Sequence, residues 1–301
     1  MSSQSPGRTR PSLEPVDLEA VAALRERLES APVNAVEQAV DDQHYTAMAI
    51  SRENARRVEP VMAGQDAHPK AISPDEKAAG RLLEVMKARR SCRAFDGRPI
   101  PEEHVELILE AGRWAPSAGI AQPWEFVVVT EEGAKRDLVG ILSQQVALMK
   151  GIDPTFPGYS NPRYLLSTPV IVMPYGDIRA TAAYPHPMPR ETRRHMLEQS
   201  IAMCIENMWL MATQLGLAAT NYTMGHPMAD ARIREIFEVP EHFVMPTMFL
   251  VGYPRHEQMP RPRRPLAEIV HREIFDRSRV RSNDELVDFF YSHGVRGRGF
   301  R

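Results

Sequence analysis

Three short segments hold side chains that could bind an anion or a flat polar ligand. The first is RRSCR at 89–93, where three guanidinium groups and a hydroxyl stand within five residues. Guanidinium groups in such a cluster chelate a phosphate or hold the polar edge of a ring. The second is APSAGIAQPW at 115–124, whose small residues let the backbone approach a flat ligand. The third is RPRRPL at 261–266, whose arginines suit an anion.

Each of these segments also has a purely structural interpretation. A basic helix end complements the helix dipole, so RRSCR could be a solvated terminus. The small residues and prolines of 115–124 are also typical of a loop from a helix to a strand. An isolated RxRR is most often a solvated loop. The single segments therefore leave binding and structural roles open.

Composition excludes several classes of protein. The 301 residues include 37 basic and 39 acidic ones, a formal charge of −2, whereas nucleic-acid binders are normally strongly basic. Two cysteines, Cys92 and Cys204, make neither a disulfide framework nor a CxxC metal site, which favours a reducing, cytoplasmic location. The ten histidines show no HExxH spacing, so no metal is expected. The most apolar stretch, 200–219, contains Glu206 and two amides, so we expect no membrane span.

The pattern of apolar residues predicts a mixed α and β domain preceded by an arm. Residues 1–72 combine a disordered start with a helical arm, residues 73–276 form the main domain, and residues 277–301 form a polar tail. Ser73 is the expected N-cap of the first helix of the domain. Predicted helices occupy 73–89, 100–115, 132–149, 191–215, 230–237 and 266–274. Predicted strands occupy 124–130, 169–174, 217–223 and 247–253.

Taken together, the segments resemble the nitroreductase family of flavoproteins. RRSCR, APSAGIAQPWEFVVV, a long helix ending in LGL, then FLVGYP and RRPLAEIVH follow one another in the family's order over about residues 74–276. The resemblance implies an α+β FMN-binding fold, with a mixed, mainly antiparallel sheet flanked by helices. It also implies a homodimer with FMN at the subunit interface, and NADH or NADPH as electron donor. The helical arm has no counterpart in the minimal family pattern.

The resemblance also assigns FMN-binding roles to residues at both ends of the domain. The RRSCR match surrounds the FMN phosphate, ribityl chain and pyrimidine edge with Arg89, Arg90, Ser91 and Arg93. The PSAG match lays Pro116, Ser117 and Ala118 against the flavin of the partner subunit. The stretch after LGL, which passes flavin N5, gives Asn221, Tyr222 and Thr223. The RRPL match gives the phosphate ligand Arg263, assisted by Arg261 or Arg264.

Two departures from the family pattern bear on the reaction. Ile120 stands where many members carry Asn, so a hydrogen bond made there is lost. The N5 segment ATNYT lacks the Glu-Gly of bacterial nitroreductases. It is nearer to the segments of iodotyrosine deiodinases and of the flavin-destroying enzyme that makes dimethylbenzimidazole. Thr223 is therefore the predicted catalytic residue, with a hydroxyl that donates to N5. The alternative is that Thr223 only pairs in the strand and an amide near Tyr222 faces N5.

The resemblance implies an FMN-dependent NAD(P)H oxidoreductase. Its expected substrate is a small electron-poor acceptor, such as a nitroaromatic, a quinone or an activated enone, reduced by a ping-pong mechanism. One alternative is a one-electron reductive dehalogenase-like or flavin-fragmenting enzyme. Another is a flavin-binding protein without turnover.

Overall fold

The computed structural model describes residues 73–152, 161–184, 188–223, 227–259 and 262–292. The predicted arm, residues 1–72, lies outside these ranges, and so does Arg261. Helices and strands alternate through most of the described chain. The helices are α1 (Glu76–Ala88), α2 (Glu102–Arg113), α3 (Glu132–Ile152), α4 (Arg190–Gln214), α5 (Pro227–Ile236), α6 (Leu266–Ile269) and α7 (Asn283–Ser292). The strands are β1 (Trp124–Val129), β2 (Val170–Asp177), β3 (Ala218–Tyr222), β4 (Phe243–Val244) and β5 (Met248–Gly252).

The strands form one antiparallel sheet in the order β1-β2-β5-β3, and β4 pairs with the far end of β2. An isolated parallel bridge joins Ser91 to Ala219 of β3, and an antiparallel bridge joins Phe95 to Pro254. The segment after α1 thus runs beside the β3 edge of the sheet. The predicted mixed, mainly antiparallel sheet flanked by helices is confirmed.

Both faces of the sheet are covered, which explains why β2 is buried from Val170 to Gly176. One cluster of buried residues includes Ile171 and Met173 of β2 with Leu138 of α3 and Ile233 of α5. The opposite cluster includes Val170 and Val172 of β2 with residues of α2 and α4. Successive strand residues point to opposite faces, so this alternation separates the two layers. The residues discussed below lie mostly on the α4 side.

A glycine lets α2 approach α4 closely. A Cβ on Gly112 would come within 2.8 Å of the Met208 side chain and 3.0 Å of Cys204 Sγ. Asn207 of α4 donates a hydrogen bond to the Ala111 carbonyl at 3.1 Å beside this contact. This close contact between α2 and α4 fixes the position of the end of α2, where the loop to β1 begins. None of the helices among the described residues is both long and apolar enough to span a membrane.

Three predicted helix positions need correction. The N-cap of α1 is Asp75, not Ser73, because its carboxylate accepts hydrogen bonds from the Lys77 and Ala78 amides. The helix predicted over 266–274 ends at Ile269. The segment predicted only as a polar tail contains helix α7, whose start carries a capping box. The Ser282 amide donates to Glu285, and the Glu285 amide donates to the Ser282 hydroxyl.

Candidate functional site

The first arginine segment lies at the end of α1, against α4. Arg89 follows the last helical residue, and its guanidinium carbon lies 4.6 Å from the centroid of the Trp209 ring. Its Nε lies 3.7 Å from Glu206 Oε1, a charge contact beyond hydrogen-bond distance. Trp209 is buried and also meets Phe249 of β5 edge-on, at 6.0 Å between centroids. The tryptophan therefore connects Arg89 to the centre of the sheet.

Arg90 is fixed through its backbone and only partly through its side chain. The Trp209 indole Nε1 donates to the Arg90 carbonyl at 3.3 Å. Arg90 Nη1 donates to the carbonyls of Lys87 and Arg89. Arg90 Nε, in contrast, is buried and has no hydrogen-bond partner among the described residues. A buried donor without a partner costs about 1–3 kcal/mol, so this nitrogen suits a bound acceptor.

The next three residues run along the edge of β3. Ser91 is exposed and pairs with Ala219, and the Cys92 amide donates to the Ala219 carbonyl at 2.9 Å. Cys92 is fully buried, and burial raises the pKa of its thiol. The thiol is therefore neutral near pH 7 and serves as packing rather than as a nucleophile. This pairing brings RRSCR next to the predicted N5 segment.

Arg93 is exposed, and its side chain contacts Tyr164. Burial raises the pKa of the Tyr164 hydroxyl. The Arg93 guanidinium interacts with that hydroxyl and partly offsets the rise in its pKa. The Tyr164 ring lies 6.2 Å from the ring of Tyr222. Burial, together with Tyr164, raises the pKa of Tyr222 to about 12. Both phenols therefore stay protonated near neutral pH and are not bases.

The end of β3 presents two polar side chains. Asn221 lies opposite Phe249 in the register, and its Oδ1 is buried without a hydrogen-bond partner among the described residues. Thr223, which directly follows the strand, is exposed. Its hydroxyl donates to Thr247 Oγ1 at 3.3 Å. The predicted N5 segment thus offers one unpaired acceptor and one hydroxyl engaged with a neighbour.

The PSAG segment forms a constrained loop on a different part of α4. The Ser117 hydroxyl accepts from the Gln122 amide at 3.0 Å, and the Ala118 amide donates to the Ser200 hydroxyl at 3.3 Å. Pro116 is exposed. Gly119, Ile120 and Gln122 have φ values of 61°, 55° and 44°. A β-branched residue in this left-handed region is strained, and the Ile120 side chain is 81% exposed.

The two segments lie apart along α4. Ala118 contacts Ser200 and Arg90 contacts Trp209, nine residues further on. An α-helix rises 1.5 Å per residue, so these contacts are about 13 Å apart along the axis. Within one chain, the structure pairs RRSCR with Ala219 of β3 and anchors the PSAG loop elsewhere on α4.

The second arginine segment follows β5 at a distance. Arg263 is exposed and donates to the Pro262 carbonyl at 3.1 Å. Arg264 is half-buried and donates to the Glu268 side chain and carbonyl at 3.5 and 3.3 Å. Arg261 lies outside the described residues.

Three residues with a part in this arrangement were not assigned to the site from the sequence: Trp209, Ser200 and Thr247. Trp209 holds Arg89 and Arg90, Ser200 holds the PSAG loop, and Thr247 holds Thr223. Each acts through a contact between residues far apart in the chain, and no local pattern marks such a contact. Within the part of the chain that the structure describes, no group of three or more His, Cys, Asp or Glu side chains could hold a metal ion.

Comparison with known proteins bears on this geometry. A model of the nitroreductase family matches residues 86–253, more than half of the chain and all of the region from RRSCR to β5. The chain belongs to the nitroreductase family. The predicted family is therefore confirmed, and so is the predicted fold class.

Relatives of known structure or curated name agree with this assignment. An NADH dehydrogenase from Thermus thermophilus is 29% identical over 203 residues, which are 60% of this chain and 91% of that protein. A Desulfovibrio desulfuricans protein crystallised with FMN is 25% identical, with a TM-score of 0.50 over 65% of this chain and 98% of that one. The NADPH:FMN oxidoreductase of Vibrio harveyi, complexed with NAD+, shares the fold at 20% identity. Its TM-score is 0.56, over 71% of this chain and 85% of that one.

The predicted class of enzyme, an FMN-dependent oxidoreductase that uses NAD(P)H, is confirmed at the level of the family. The roles of individual residues, the dimer and the cytoplasmic location stay predictions.

Proposed function

We propose that this nitroreductase-family protein binds FMN at the junction of α1, α4 and β3. There it would use NADH or NADPH to reduce a small electron-poor acceptor. The supporting observation is the arrangement around Arg90. Arg89 and Arg90 are held against Trp209, Ser91 and Cys92 pair with β3, and Asn221 follows on the same strand.

The residues present fit a phosphorylated, flat cofactor. Arg90 Nε is a buried donor without a partner, and Asn221 Oδ1 is a buried acceptor without one, among the described residues. A cofactor with phosphate or carbonyl oxygens and a ring N–H would supply both partners. Arg263 would add a further guanidinium for the phosphate, assisted by Arg264 or Arg261.

When bound, FMN supplies the transfer of electrons from the nicotinamide to the acceptor. The protein's part is to bind and orient. Arg89 and Arg90 would hold the phosphate and ribityl chain, and Ser91 would add a hydroxyl. Arg93, placed by Tyr164, would put positive charge near the pyrimidine edge, where reduction builds negative charge. Donor and acceptor would occupy one open face in turn, as a ping-pong order requires.

We also propose a homodimer in which Pro116, Ser117 and Ala118 serve the FMN of the partner subunit. The separation of about 13 Å along α4 between the Ala118 and Arg90 contacts supports this division. One chain then supplies the arginines of one site and the PSAG loop of the other. A monomer at micromolar concentration that retains FMN would contradict the arrangement.

The test is purification, a visible spectrum and anaerobic titration with each nicotinamide. We expect a yellow protein with about one FMN per chain, bleached by NADH or NADPH and recoloured by a quinone or nitroaromatic. A colourless protein that takes up no added FMN would overturn the proposal. Bound FMN that neither nicotinamide bleaches would instead identify a flavin-binding protein without turnover.

A second candidate reaction is one-electron reductive dehalogenation, favoured by the likeness of the ATNYT segment to that of iodotyrosine deiodinases. The two reactions differ in acceptor. Release of halide from a halophenol by the FMN-loaded, reduced protein, without turnover of quinones, would select the dehalogenase.

A further inference from the structure

Thr223 and Thr247 form a cross-strand pair at the end of β3 and the start of β5. The antiparallel register pairs Tyr222 with Met248, so the next pair outward is Thr223 with Thr247. Their hydroxyl oxygens lie 3.3 Å apart. Thr247 is 8% exposed, whereas Thr223 is exposed. One threonine of the pair is therefore inside the fold, and the other is at its surface.

The buried partner decides the direction of the hydrogen bond between them. Thr247 Oγ1 donates its proton to the Met248 carbonyl at 3.3 Å, and it accepts from Thr223 Oγ1. A hydroxyl has one proton to donate. The Thr223 proton is thus committed to Thr247, and the lone pairs of Thr223 Oγ1 remain available to accept a hydrogen bond.

We infer that Thr247 is a positioning residue that makes Thr223 a hydrogen-bond acceptor toward flavin N5. This inference rests on the proposed function and on the prediction that Thr223 lies beside N5. It differs from the expectation that the Thr223 hydroxyl donates to N5. Asn221, two residues earlier, also offers a buried acceptor that has no hydrogen-bond partner among the described residues.

The polarity has a consequence for the flavin. N5 of oxidised flavin bears a lone pair and no proton, whereas N5 of the reduced ring bears a proton. An acceptor at N5 therefore favours the reduced ring, and a free hydroxyl could also stabilise the oxidised one. By holding the Thr223 proton, Thr247 would raise the midpoint potential of bound FMN.

The test compares the midpoint potentials of FMN bound to the wild type, Thr247→Val and Thr247→Ser. Valine keeps the shape of threonine but frees the Thr223 proton, whereas serine keeps the hydroxyl. A neutral hydrogen bond is worth about fivefold in an equilibrium constant. We expect Thr247→Val to lower the two-electron potential by about 20 mV, since tenfold corresponds to about 30 mV. Thr247→Ser should stay near the wild type.

The double variant separates positioning from a general effect on packing. Thr223→Ala should lower the potential itself, and adding Thr247→Val should then change nothing more. A wild-type potential in Thr247→Val would overturn the inference. So would an equal fall in Thr247→Ser, or a fall from Thr247→Val that persists in the Thr223→Ala background.

A second measurement does not depend on the cofactor. Urea unfolding of the four FMN-free proteins of the cycle should show about threefold or greater coupling between the two positions in the unfolding constant. Additive effects would show that the hydroxyl pair is not formed, and the inference would be wrong. A wild type that binds no FMN would instead overturn the proposed function, while this cycle still tests the pair.

Discussion

Arg89 and Arg90 pack against the buried core. Arg263 and Arg264 lie on a largely exposed segment that follows β5. Arg89 and Arg90 are held by the buried Trp209, and the residues that follow them, Ser91 and Cys92, pair with β3. In the second pair, Arg263 donates to the adjacent Pro262 carbonyl and Arg264 to Glu268, four residues away. Two arginine segments of similar composition thus meet different surroundings.

The difference separates two ways of binding an anion. Arginines fixed by the fold lose little side-chain entropy when the ligand arrives, and removing their support also destabilises the fold. Arginines on an exposed segment contribute charge and are ordered by the ligand. Substitutions in the first segment should therefore affect stability and FMN binding together, and those in the second should affect binding alone.

The largest effect is expected for Trp209→Ala, which removes the support of the first segment. Truncating a buried tryptophan costs about 3–5 kcal/mol in the free energy of unfolding. FMN affinity should fall as well, because Arg89 loses its ring contact and the Arg90 carbonyl loses the indole N–H that donates to it. Urea unfolding and fluorescence titration with FMN measure the two effects. Trp114→Ala is the matched control, since Trp114 is 55% exposed, and equal losses in both variants would contradict the assigned role.

Arg263→Ala should weaken FMN binding by about 1.5–3 kcal/mol, the value of a charged hydrogen bond. The FMN-free protein should keep its unfolding free energy within about 0.5 kcal/mol, since the residue is exposed. Arg136→Ala, at an exposed arginine of α3 paired with Glu132, controls for net charge. Unchanged FMN affinity in Arg263→Ala would remove the second segment from the site.

A smaller effect is expected for Trp209→Phe, which keeps an aromatic ring but loses the indole donor to the Arg90 carbonyl. The free energy of unfolding should fall by about 0.5–1.5 kcal/mol for the lost hydrogen bond, in addition to any effect of the smaller ring. FMN affinity should fall by no more than this. If Trp209→Phe binds FMN as poorly as Trp209→Ala, the ring contact with Arg89 is not what supports the segment.

The smallest effect is expected from pH. Arginines stay charged, and burial keeps the pKa of Cys92 above its ordinary 9.0, so the first segment has the same charge from pH 7 to 9. Because the folded pKa exceeds the unfolded one, the thiol lowers stability only as pH rises above about 9. FMN affinity should change less than twofold between pH 7 and 9, measured at constant ionic strength. A steep loss in that range would indicate another ionising group in the site.

Much of the fold could be predicted because β1, β2 and β5 are rich in β-branched and aromatic residues. WEFVVV and MFLVG were assigned to within one residue at each end. Helix α7 was missed although Ser282 and Glu285 form a capping box visible in the sequence. Strand β4 is two residues long, and its pairing with β2 defines it rather than any local pattern.

The site was predictable as a set of segments but not as a geometry. Local pattern marks RRSCR and the PSAG loop, and the pairing of Ser91 with Ala219 agrees with the proposed relation of RRSCR to the N5 segment. The support by Trp209 joins residues 119 positions apart, so no local pattern contains it. The left-handed Ile120 is also beyond sequence reasoning, because a β-branched residue is the least expected there.

The position of β5 in the sheet has a consequence for synthesis of the chain. This strand lies between β2 and β3, yet it is translated after both. The ribosome adds residues 223–252 at about 5–20 residues per second, which takes roughly 2–6 s. Throughout this time β5, the strand that pairs with both β2 and β3, is incomplete. During that interval β2 has an unpaired, apolar edge of the kind that aggregates. A ribosome stalled before residue 248 would therefore hold a nascent chain that needs a chaperone, however stable the finished protein is.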